Sequence, residues 1–212
     1  MAAPRRPGAL AALAAAAALA ACGGDDDGEG TPATPAQPEV QFSKPERVLE
    51  RGEAATAVVD TSEGEFQIEL DTRTSPKTAN SFAFLAEEGF YDGTTFHRIV
   101  PGFVIQAGDP TGTGTGGPGY SVDEPPPQDT EYLRGRVAMA KTAVEPPGRS
   151  GSQFFVVVAA DAGLAPQYAL LGRVSVGLPV CQRIAQLGDP ASGQTGTPLE
   201  QVTISSIEIK RR

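Results

Sequence analysis

Residues 95–109 read TFHRIVPGFVIQAGD, and no other stretch of the chain says as much about the fold. A Pro-Gly pair at residues 101–102 separates two short apolar runs, which predicts a hairpin of two strands. Alternation along the first strand puts Arg98 on one face and His97 on the other, so we expect His97 to point away from Arg98. Because an unpaired polar group is costly in so apolar a segment, Arg98 and Gln106 need partners. A structural ion pair and a functional site both meet this need, and the segment by itself leaves the two open.

Composition and charge limit the classes of function. A chain of 212 residues holds one well-cored domain with extensions more readily than two full domains. The formal net charge of -9 argues against a nucleic-acid partner and against electrostatic attachment to a membrane. One histidine among scattered carboxylates provides no cluster for a metal. The motif GTGTGG at residues 112–117 precedes a proline and no helix, so it does not predict a dinucleotide site. We therefore expect neither a metal nor a cofactor.

The N-terminus has the features of an export signal. Arg5 and Arg6 precede an Ala/Leu run at residues 9–21 that is too short to span a bilayer. The run ends in LAAC, which resembles the lipobox of bacterial lipoproteins, where the cysteine is diacylated. We therefore predict that residues 1–21 are a signal peptide and that Cys22 is lipidated, which would place the protein on the extracytoplasmic face of the bacterial cell membrane. A cleaved signal beside an incidental cysteine is the alternative.

The composition changes again after Cys22. Residues 22–53 begin with a Gly/Asp-rich run and continue as TPATPAQP at residues 31–38, so we predict a lipidated cysteine followed by a flexible tether. Residues 54–212 carry the patterns of a folded domain. The other cysteine, Cys181, falls beside the apolar face of a predicted helix, and we expect a buried, inert thiol. If Cys22 carries lipid, no intramolecular disulfide is possible.

The folded part reads as many short strands with two helices. Ser75 and Pro76 are typical of a helix start, with serine as the N-cap residue and proline at the first helical position, and Gly89 is a natural stop. A second helix is predicted at residues 178–187. Besides the hairpin described above, strands are predicted at residues 56–61, 65–70, 137–141, 153–159, 169–174 and 202–210. Many antiparallel strands with few helices favour a closed barrel.

Two motifs carry a resemblance to a known family. Residues 95–109 closely resemble the signature of the cyclophilin family of peptidyl-prolyl cis-trans isomerases, F-H-R-x-x-x-x-F-x-x-Q-x-G-D. SGSQFF at residues 150–155 is similar to the family's N-G-S-Q-F-F, with serine in place of asparagine. The resemblance covers roughly residues 56–209 and implies an all-β fold with two helices, built as a closed eight-stranded antiparallel β-barrel capped by an α-helix at each end. Together with the export signal, it implies a monomer that catalyses X-Pro rotation in extracytoplasmic proteins and assists their folding.

The resemblance also assigns roles to individual residues. Arg98 stands at the position of the family's catalytic arginine, and Gln106 at that of the glutamine that orients it and bonds the substrate backbone. Lys141 stands where the family usually has asparagine, although contact with the substrate there is largely through the backbone. The implied substrate-binding residues are an apolar set for the proline ring (Phe103, Val104, Phe155, Leu164) and a bordering set (Ala140, Lys141, Gln153, Tyr168).

The chain departs from the family pattern at two positions. It has no tryptophan, and Gly163 falls where eukaryotic members carry the tryptophan used in cyclosporin binding, so weak cyclosporin binding is implied. Tyr168 replaces a pocket histidine found in many members, a change that bacterial members tolerate. We interpret His97 as a structural hydrogen bonder. Strand alternation lets only one of Phe154 and Phe155 face the core.

A second function stays open beside catalysis. A non-catalytic module that binds proline-containing peptides, or a chaperone, would keep the same barrel without turnover. Retention of Arg98, Gln106 and Phe103 favours the enzyme, because a pure binder needs no donor aimed at the imide nitrogen. A serine hydrolase is not predicted, because GRSGS at residues 148–152 does not match G-x-S-x-G and a single histidine that faces away from Arg98 does not make a triad.

Overall fold

The computed structural model describes residues 41–212, and these form ten β-strands, two α-helices and one 3-10 helix. The predicted signal peptide, Cys22 and most of the predicted tether lie outside the described residues. In chain order the elements are β1 Ala55–Thr61, β2 Gly64–Leu70, α1 Pro76–Glu87, β3 Arg98–Val100, β4 Val104–Ala107, β5 Val122–Asp123, β6 Arg136–Met139, β7 Arg149–Ser150, β8 Phe154–Val157, β9 Leu170–Val176, α2 Leu178–Gln186, the 3-10 helix Pro190–Thr195 and β10 Ile204–Arg211.

Eight strands form one antiparallel sheet in the order β10-β1-β2-β9-β6-β8-β4-β3, and β5 pairs separately with β7. The sheet curls, because backbone bonds link the segment before edge strand β3 to the start of the other edge strand, β10. The N–H of Phe96 donates to the carbonyl of Val202 (2.9 Å), and that of Ile204 donates to the carbonyl of Thr94 (2.8 Å). The expectation of a mostly β fold with two α-helices is confirmed, whereas β5, β7 and the 3-10 helix were not predicted.

Helix α1 begins where the Ser75-Pro76 pair predicts, but the cap of its N–H groups comes from a distant residue. Ser75 occupies the N-cap position, although its side chain makes no capping hydrogen bond. The carboxylate of Glu124 instead accepts hydrogen bonds from the backbone N–H groups of Lys77 (3.2 Å) and Thr78 (2.7 Å). A negative charge at this end also suits the helix dipole. The loop after β5 is therefore bound to the start of α1.

Helix α2 buries one face that contains Cys181, Ile184 and Ala185. The Cys181 side chain is fully buried, and burial raises the pKa of its thiol to about 12. A thiol with such a pKa keeps its proton at neutral pH, and the thiolate is the reactive form. The expectation of a buried cysteine at this position is confirmed, and the raised pKa of its thiol agrees with an inert role.

Hydrophobic clusters lie on both faces of the sheet, because side chains alternate along each strand. We call the two faces the core face and the site face. The core face packs against the helices and includes Ile105, Val137, Met139, Phe154 and Val156. The site face carries a smaller cluster, which includes Val104, Ala138, Phe155, Val157 and Leu170. Phe154 and Phe155 thus divide between the two faces, as strand alternation predicts.

The packed part of the chain begins before the predicted boundary at residue 54. The ring of Phe42 lies edge-on to that of Phe84 in α1, with 5.1 Å between ring centroids. Leu49 is buried, and its backbone N–H donates to Oδ1 of Asn80 over 2.9 Å. Residues 41–53, which the sequence places at the end of the tether, therefore pack against α1.

Candidate active site

The β3–β4 hairpin brings the two polar side chains of the signature stretch together. Arg98 and Gln106 are directly opposite in the antiparallel register, and Nη1 of Arg98 donates to Oε1 of Gln106 over 3.2 Å. Residues that are opposite in an antiparallel pair project from the same face of the sheet. The hairpin therefore places the predicted arginine–glutamine pair on the site face.

The prediction that His97 points away from Arg98 is wrong. Strand β3 begins only at Arg98, so strict alternation does not extend back to residue 97. Nε2 of His97 lies 3.4 Å from Nε2 of Gln106, the amide that also contacts Arg98. Burial lowers the pKa of His97, and the smaller opposing effects of Asp109 and the backbone of Thr95 do not cancel it. His97 is therefore a neutral imidazole at pH 7, able to accept a hydrogen bond from the amide of Gln106.

Among residues 41–212, amide and carbonyl groups hold the Arg98 guanidinium, and no carboxylate does. Nε donates to the backbone carbonyl of Gln194 over 3.0 Å, and Nη2 lies 3.5 Å from Oε1 of the same residue. Within residues 41–212 no Asp or Glu forms an ion pair with Arg98. Burial lowers its pKa somewhat, but a guanidinium stays charged in proteins. Within the described residues, the alternative of a structural ion pair therefore has no support.

Two donors of Arg98 have no partner in the described part of the chain. A guanidinium carries five N–H groups. The bonds to Gln106 and Gln194 use Nε–H and one N–H on each Nη atom. One N–H on each Nη atom remains, and the guanidinium carbon lies 5.9 Å from the ring centroid of Phe103. These donors are available to a ligand beside the Phe103 ring.

Sequence reasoning missed Gln194 as a partner of Arg98. Gln194 lies in the 3-10 helix, 96 positions along the chain from the arginine. The helix ends at Gly196, whose carbonyl accepts a hydrogen bond from the N–H of Ile99 over 2.7 Å. Gly196 has a φ of +71°, and a Cβ there would come within 2.7 Å of a β3 side chain, so glycine is required. The glycines of this segment predict a turn, but nothing in the sequence predicts that the turn lies beside β3.

Gln106 and Gln153 form a relay that orients the amide facing Arg98. Nε2 of Gln106 donates to Oε1 of Gln153 over 3.0 Å, and Nε2 of Gln153 donates to the carbonyl of Gly116 over 3.0 Å. Each amide donates in the direction away from Arg98, so the Gln106 oxygen faces the guanidinium. The hydrogen bonds run from Arg98 through Gln106 and Gln153 to the Gly116 carbonyl. Because both amides are held by this network, the position of Arg98 is fixed before a ligand arrives.

The relay ends on a loop that a buried carboxylate organises. Asp109 is fully buried, and its oxygens accept from the N–H and Oγ1 of Thr111 (2.7 and 2.8 Å) and from the N–H groups of Gly114 and Gly116. Burial alone raises the pKa of Asp109, but these hydrogen bonds outweigh it and the net effect is a lowered pKa. The GTGTGG motif is thus a loop wrapped around a carboxylate, and it holds the Gly116 carbonyl in place.

A cavity of about 250 Å³ opens on the site face next to Arg98. Its apolar wall comes from the hairpin turn, β8 and the loop before β9, and its polar wall comes from the arginine–glutamine pair. Gln153 is the one predicted substrate-binding residue that does not line it, because its side chain lies behind Gln106. The lining residues are Arg98, Phe103, Val104, Gln106, Ala140, Lys141, Phe155, Leu164 and Tyr168.

Perpendicular aromatic rings form the floor of this cavity. The rings of Phe155 and Tyr168 meet edge to face, 5.4 Å apart and at 90°. Sequence reasoning missed Tyr132, which is fully buried and packs edge-on to Tyr168 at 5.9 Å. Its hydroxyl donates to the carbonyl of Tyr168 (2.7 Å) and accepts from the N–H of the same residue (3.0 Å). Tyr132 therefore holds the backbone of Tyr168 at both polar atoms.

Lys141 borders the cavity but directs its charge into its own loop. Its Nζ donates to the backbone carbonyls of Thr142 and Glu145, each over 2.9 Å. The Glu145 carboxylate accepts from the N–H and Oγ1 of Thr142 (2.6 and 2.8 Å). The polar groups of this loop are thus satisfied internally, and the ammonium of Lys141 lies 5.7 Å from the ring centroid of Tyr168.

Two kinds of feature are absent from the described part of the chain. Within residues 41–212 no group of three or more His, Cys, Asp and Glu side chains is placed to hold a metal ion. Over the same residues, no helix combines the length and the apolar character needed to cross a bilayer.

Comparison with known proteins agrees with this geometry. The model of the family described as cyclophilin type peptidyl-prolyl cis-trans isomerase/CLD matches residues 56–209. Peptidyl-prolyl cis-trans isomerase ppi1 of Schizosaccharomyces pombe is 40% identical over 69% of this chain and 95% of its own. Peptidyl-prolyl cis-trans isomerase B of Streptomyces anulatus is 39% identical over 74% of this chain and 97% of its own.

A solved structure extends the comparison to three dimensions. A Cryptosporidium parvum cyclophilin type peptidyl-prolyl cis-trans isomerase, crystallised in the presence of the dipeptide Ala-Pro, superimposes with a TM-score of 0.65 and 31% identity, over 74% of this chain and 99% of its own. The fold, the family match and these relatives agree. The chain belongs to the cyclophilin-type peptidyl-prolyl cis-trans isomerases and is an enzyme of that class.

Proposed function

We propose that the protein rotates X-Pro bonds in the cavity beside Arg98 and that Arg98 is its catalytic residue. Amide resonance makes this rotation slow, with a barrier of about 18–20 kcal/mol. In the twisted state the imide nitrogen becomes pyramidal and can accept a hydrogen bond. A donor that bonds the nitrogen mainly in this state lowers the barrier, and each ~1.36 kcal/mol of such selective binding gives a tenfold gain in rate.

The observation that carries this proposal is the pair of free N–H groups on a fixed guanidinium. Gln106 and Gln194 hold three of the five donors of Arg98, and no carboxylate in residues 41–212 competes for the rest. A donor that is already positioned needs no reorganisation when charge develops on its acceptor. This chemistry uses no general base, which suits a site whose one imidazole is occupied by Gln106.

The apolar part of the cavity suits the proline ring of the substrate. Phe103, Phe155 and Leu164 offer apolar surface within reach of Arg98, in a cavity of about 250 Å³. The Cryptosporidium parvum relative was solved in the presence of Ala-Pro, which supports a proline-containing peptide as the ligand class. We assign Gln106 to the substrate backbone as well as to Arg98, and we assign Gln153 to the support of Gln106.

An isomerisation assay tests this function directly. NMR exchange on a short Ala-Pro peptide should show catalysed cis-trans exchange with the unmodified protein and a strongly reduced rate with Arg98→Ala. A non-catalytic peptide binder, the second candidate, would shift the peptide resonances without accelerating exchange. That result, with a protein shown to be folded, would replace the enzyme by the binder.

We also propose that the enzyme acts outside the cytoplasm, anchored through lipid on Cys22, and that its clients are exported proteins. The support is sequence alone: an Ala/Leu run that ends in LAAC, followed by a Gly/Asp-rich segment. Cys22→Ser should release the protein from the membrane fraction or leave an uncleaved precursor. An unmodified mature N-terminus at any other residue, found by intact-mass analysis, would reject the anchor.

Closure of the sheet into a barrel is a further part of the proposal. Backbone hydrogen bonds support it, because they join residues 93–96, just before edge strand β3, to residues 202–204 at the start of edge strand β10. If the barrel is closed and monomeric, the amides of Phe96 and Ile204 should be protected from hydrogen exchange as strongly as those of β1. Sedimentation should give the mass of one chain.

Weak cyclosporin binding remains part of the proposed function. Gly163 is exposed and has a φ of +61°, and a Cβ built there meets no other atom within 4 Å. A bulky ring at this position would complete a wall but would strain the backbone, because L side chains disfavour this region. We expect poor inhibition relative to tryptophan-containing relatives in one assay, and equal inhibition would contradict the proposal.

A further inference from the structure

A second cavity adjoins the proposed proline site, and the N-terminal end of the described chain lies on its wall. This cavity has a volume of about 630 Å³ and shares Gln106, Ala140 and Lys141 with the smaller cavity at Arg98. Gln41, the first described residue, is also part of its lining. The chain therefore enters the folded domain at the mouth of a groove that leads to the proposed catalytic arginine.

Two contacts fix the position at which the chain enters. The N–H of Phe42 donates to the carbonyl of Pro118 over 2.7 Å, and the Phe42 ring packs edge-on to Phe84. The side-chain oxygen of Gln41 occupies the space where a side chain on residue 119 would lie, so Gly119 makes room for it. The segment that precedes Gln41 thus starts from a fixed point on the wall of the larger cavity.

The segment that precedes this point is rich in X-Pro bonds. Residues 31–38 read TPATPAQP and contain three X-Pro bonds, of which Thr34–Pro35 and Gln37–Pro38 lie nearest to Gln41 along the chain. Pro38 is three residues and Pro35 six residues before Gln41, so extended chain from Gln41 reaches roughly 10 Å and 20 Å respectively. Gln41 and Gln106 line the same cavity, so the segment has only this cavity to cross before it meets the arginine–glutamine pair.

The chemistry of the groove suits this segment. Residues 31–38 carry no charge. The ammonium of Lys141 and the carboxylate of Glu145 bond groups of their own loop, so they do not require a charged ligand. A short link also gives an effective concentration of the order of millimolar, which allows even a weak ligand to occupy the site.

We propose that the proline-rich segment 31–38 binds in the active-site groove of its own chain. There Thr34–Pro35 or Gln37–Pro38 is isomerised by the same molecule, and the bound segment competes with external substrates. The inference rests on the proposed function of the Arg98 cavity. It makes the segment before the domain a regulator of the enzyme as well as a spacer.

NMR exchange at the two bonds provides the test. The complete chain is purified with Cys22→Ser so that no lipid is attached, and a synthetic peptide of residues 29–40 gives the uncatalysed rate. Uncatalysed X-Pro exchange takes tens to hundreds of seconds. We expect exchange at Thr34–Pro35 or Gln37–Pro38 to be at least tenfold faster in the chain than in the free peptide. The rate should not change on tenfold dilution, and the acceleration should disappear in Arg98→Ala.

A kinetic comparison supplies the second arm. If the Kd of the segment for the groove equals its effective concentration, the segment occupies half of the active sites and doubles the apparent KM for an added Ala-Pro peptide. Pro35→Ala/Pro38→Ala should therefore lower this KM about twofold. The matched control, Ala33→Gly/Ala36→Gly, keeps all three X-Pro bonds of the segment and should leave KM equal to that of the parent.

The outcomes separate the inference from the function beneath it. Exchange in the chain equal to that in the free peptide, with normal turnover of the added peptide, overturns the inference and leaves the isomerase function intact. Exchange that slows in proportion to dilution overturns intramolecular binding, because it shows that one molecule acts on another. If the added peptide is not turned over either, the inference and the proposed function fall together.

Discussion

Two adjacent phenylalanines in β8 have opposite surroundings. Phe154 is fully buried on the core face, where its ring meets those of Phe82 (5.5 Å) and Tyr91 (5.9 Å). Phe155 lies on the site face, where it packs edge-on to Tyr168 and borders the empty volume of the 250 Å³ cavity. The core face is filled by its own side chains, whereas the site face keeps a space for a ligand. Substitutions on the two faces should therefore affect different properties of the protein.

The pair Phe154→Ala and Phe155→Ala gives the largest expected effect. Phe154→Ala should lower the free energy of unfolding by about 3–5 kcal/mol, because it leaves a void in a packed core. Phe155→Ala should cost less stability, because its ring already borders open volume, but it should raise KM for an X-Pro peptide several-fold. Urea unfolding and exchange kinetics on both variants check this. Equal losses of stability would show that the two faces do not differ as described.

Arg98→Ala tests the polar side of the site face. Loss of a charge-assisted donor costs on the order of 1.5–3 kcal/mol, so kcat/KM should fall tenfold to a hundredfold or more. Because no carboxylate in the described residues depends on Arg98 for an ion pair, the melting temperature should change little.

Arg98→Lys is the matched control for this change. It keeps the charge and should recover only part of the activity, because an ammonium lacks the planar fork that bonds Gln106 and Gln194 together. Thermal melts and exchange kinetics are measured on the same samples. A large drop in melting temperature with activity lost in parallel would assign Arg98 a structural role instead.

Asp109→Asn tests the loop behind the relay. An amide cannot accept all the N–H groups that the carboxylate accepts, so the variant should lose about 1–3 kcal/mol of stability at pH 7 and several-fold in kcat/KM as the Gly116 carbonyl moves. The native pKa of Asp109 is lowered, so its contribution to stability is present above its unfolded pKa of about 3.9 and disappears as the pH falls through the native value. The stability difference between the two proteins should therefore shrink in acid. A constant difference from pH 7 to pH 3 would exclude this account.

The pH dependence of His97 should give the smallest effect. Its pKa is lowered in the folded protein, so its stabilising effect is complete above the unfolded pKa of about 6.5 and is lost as the pH falls through the native pKa. A protonated Nε2 would face the N–H of Gln106, donor against donor, and would disturb the contact to Arg98. We expect a modest fall in kcat/KM as the pH drops below the ordinary histidine value of about 6.5, with the profile flattened in His97→Gln. Arg98 and Asp109, which also face His97, keep their charges in this range. An unchanged profile in the variant would remove His97 from the network.

Much of the site could be predicted from the sequence, because its main residues lie on one hairpin and one strand. Arg98 and Gln106 are eight positions apart and meet through antiparallel pairing across a two-residue turn, a geometry that local sequence determines. The division of Phe154 from Phe155 follows from the two-residue period of a strand. Alternation failed at His97, because the strand begins one residue later and the period does not hold outside it.

Partners that come from distant segments were decided by the tertiary structure alone. Gln194 reaches Arg98 across 96 positions, and Glu124 reaches Thr78 across 46. Such contacts depend on how curled strands and loops pack, and no periodicity in the chain encodes them. The sequence by itself determined the family motifs, the strand faces and the need of Arg98 for partners. Only packing decided that those partners are amides and carbonyls, which leave two of its donors free within the described residues.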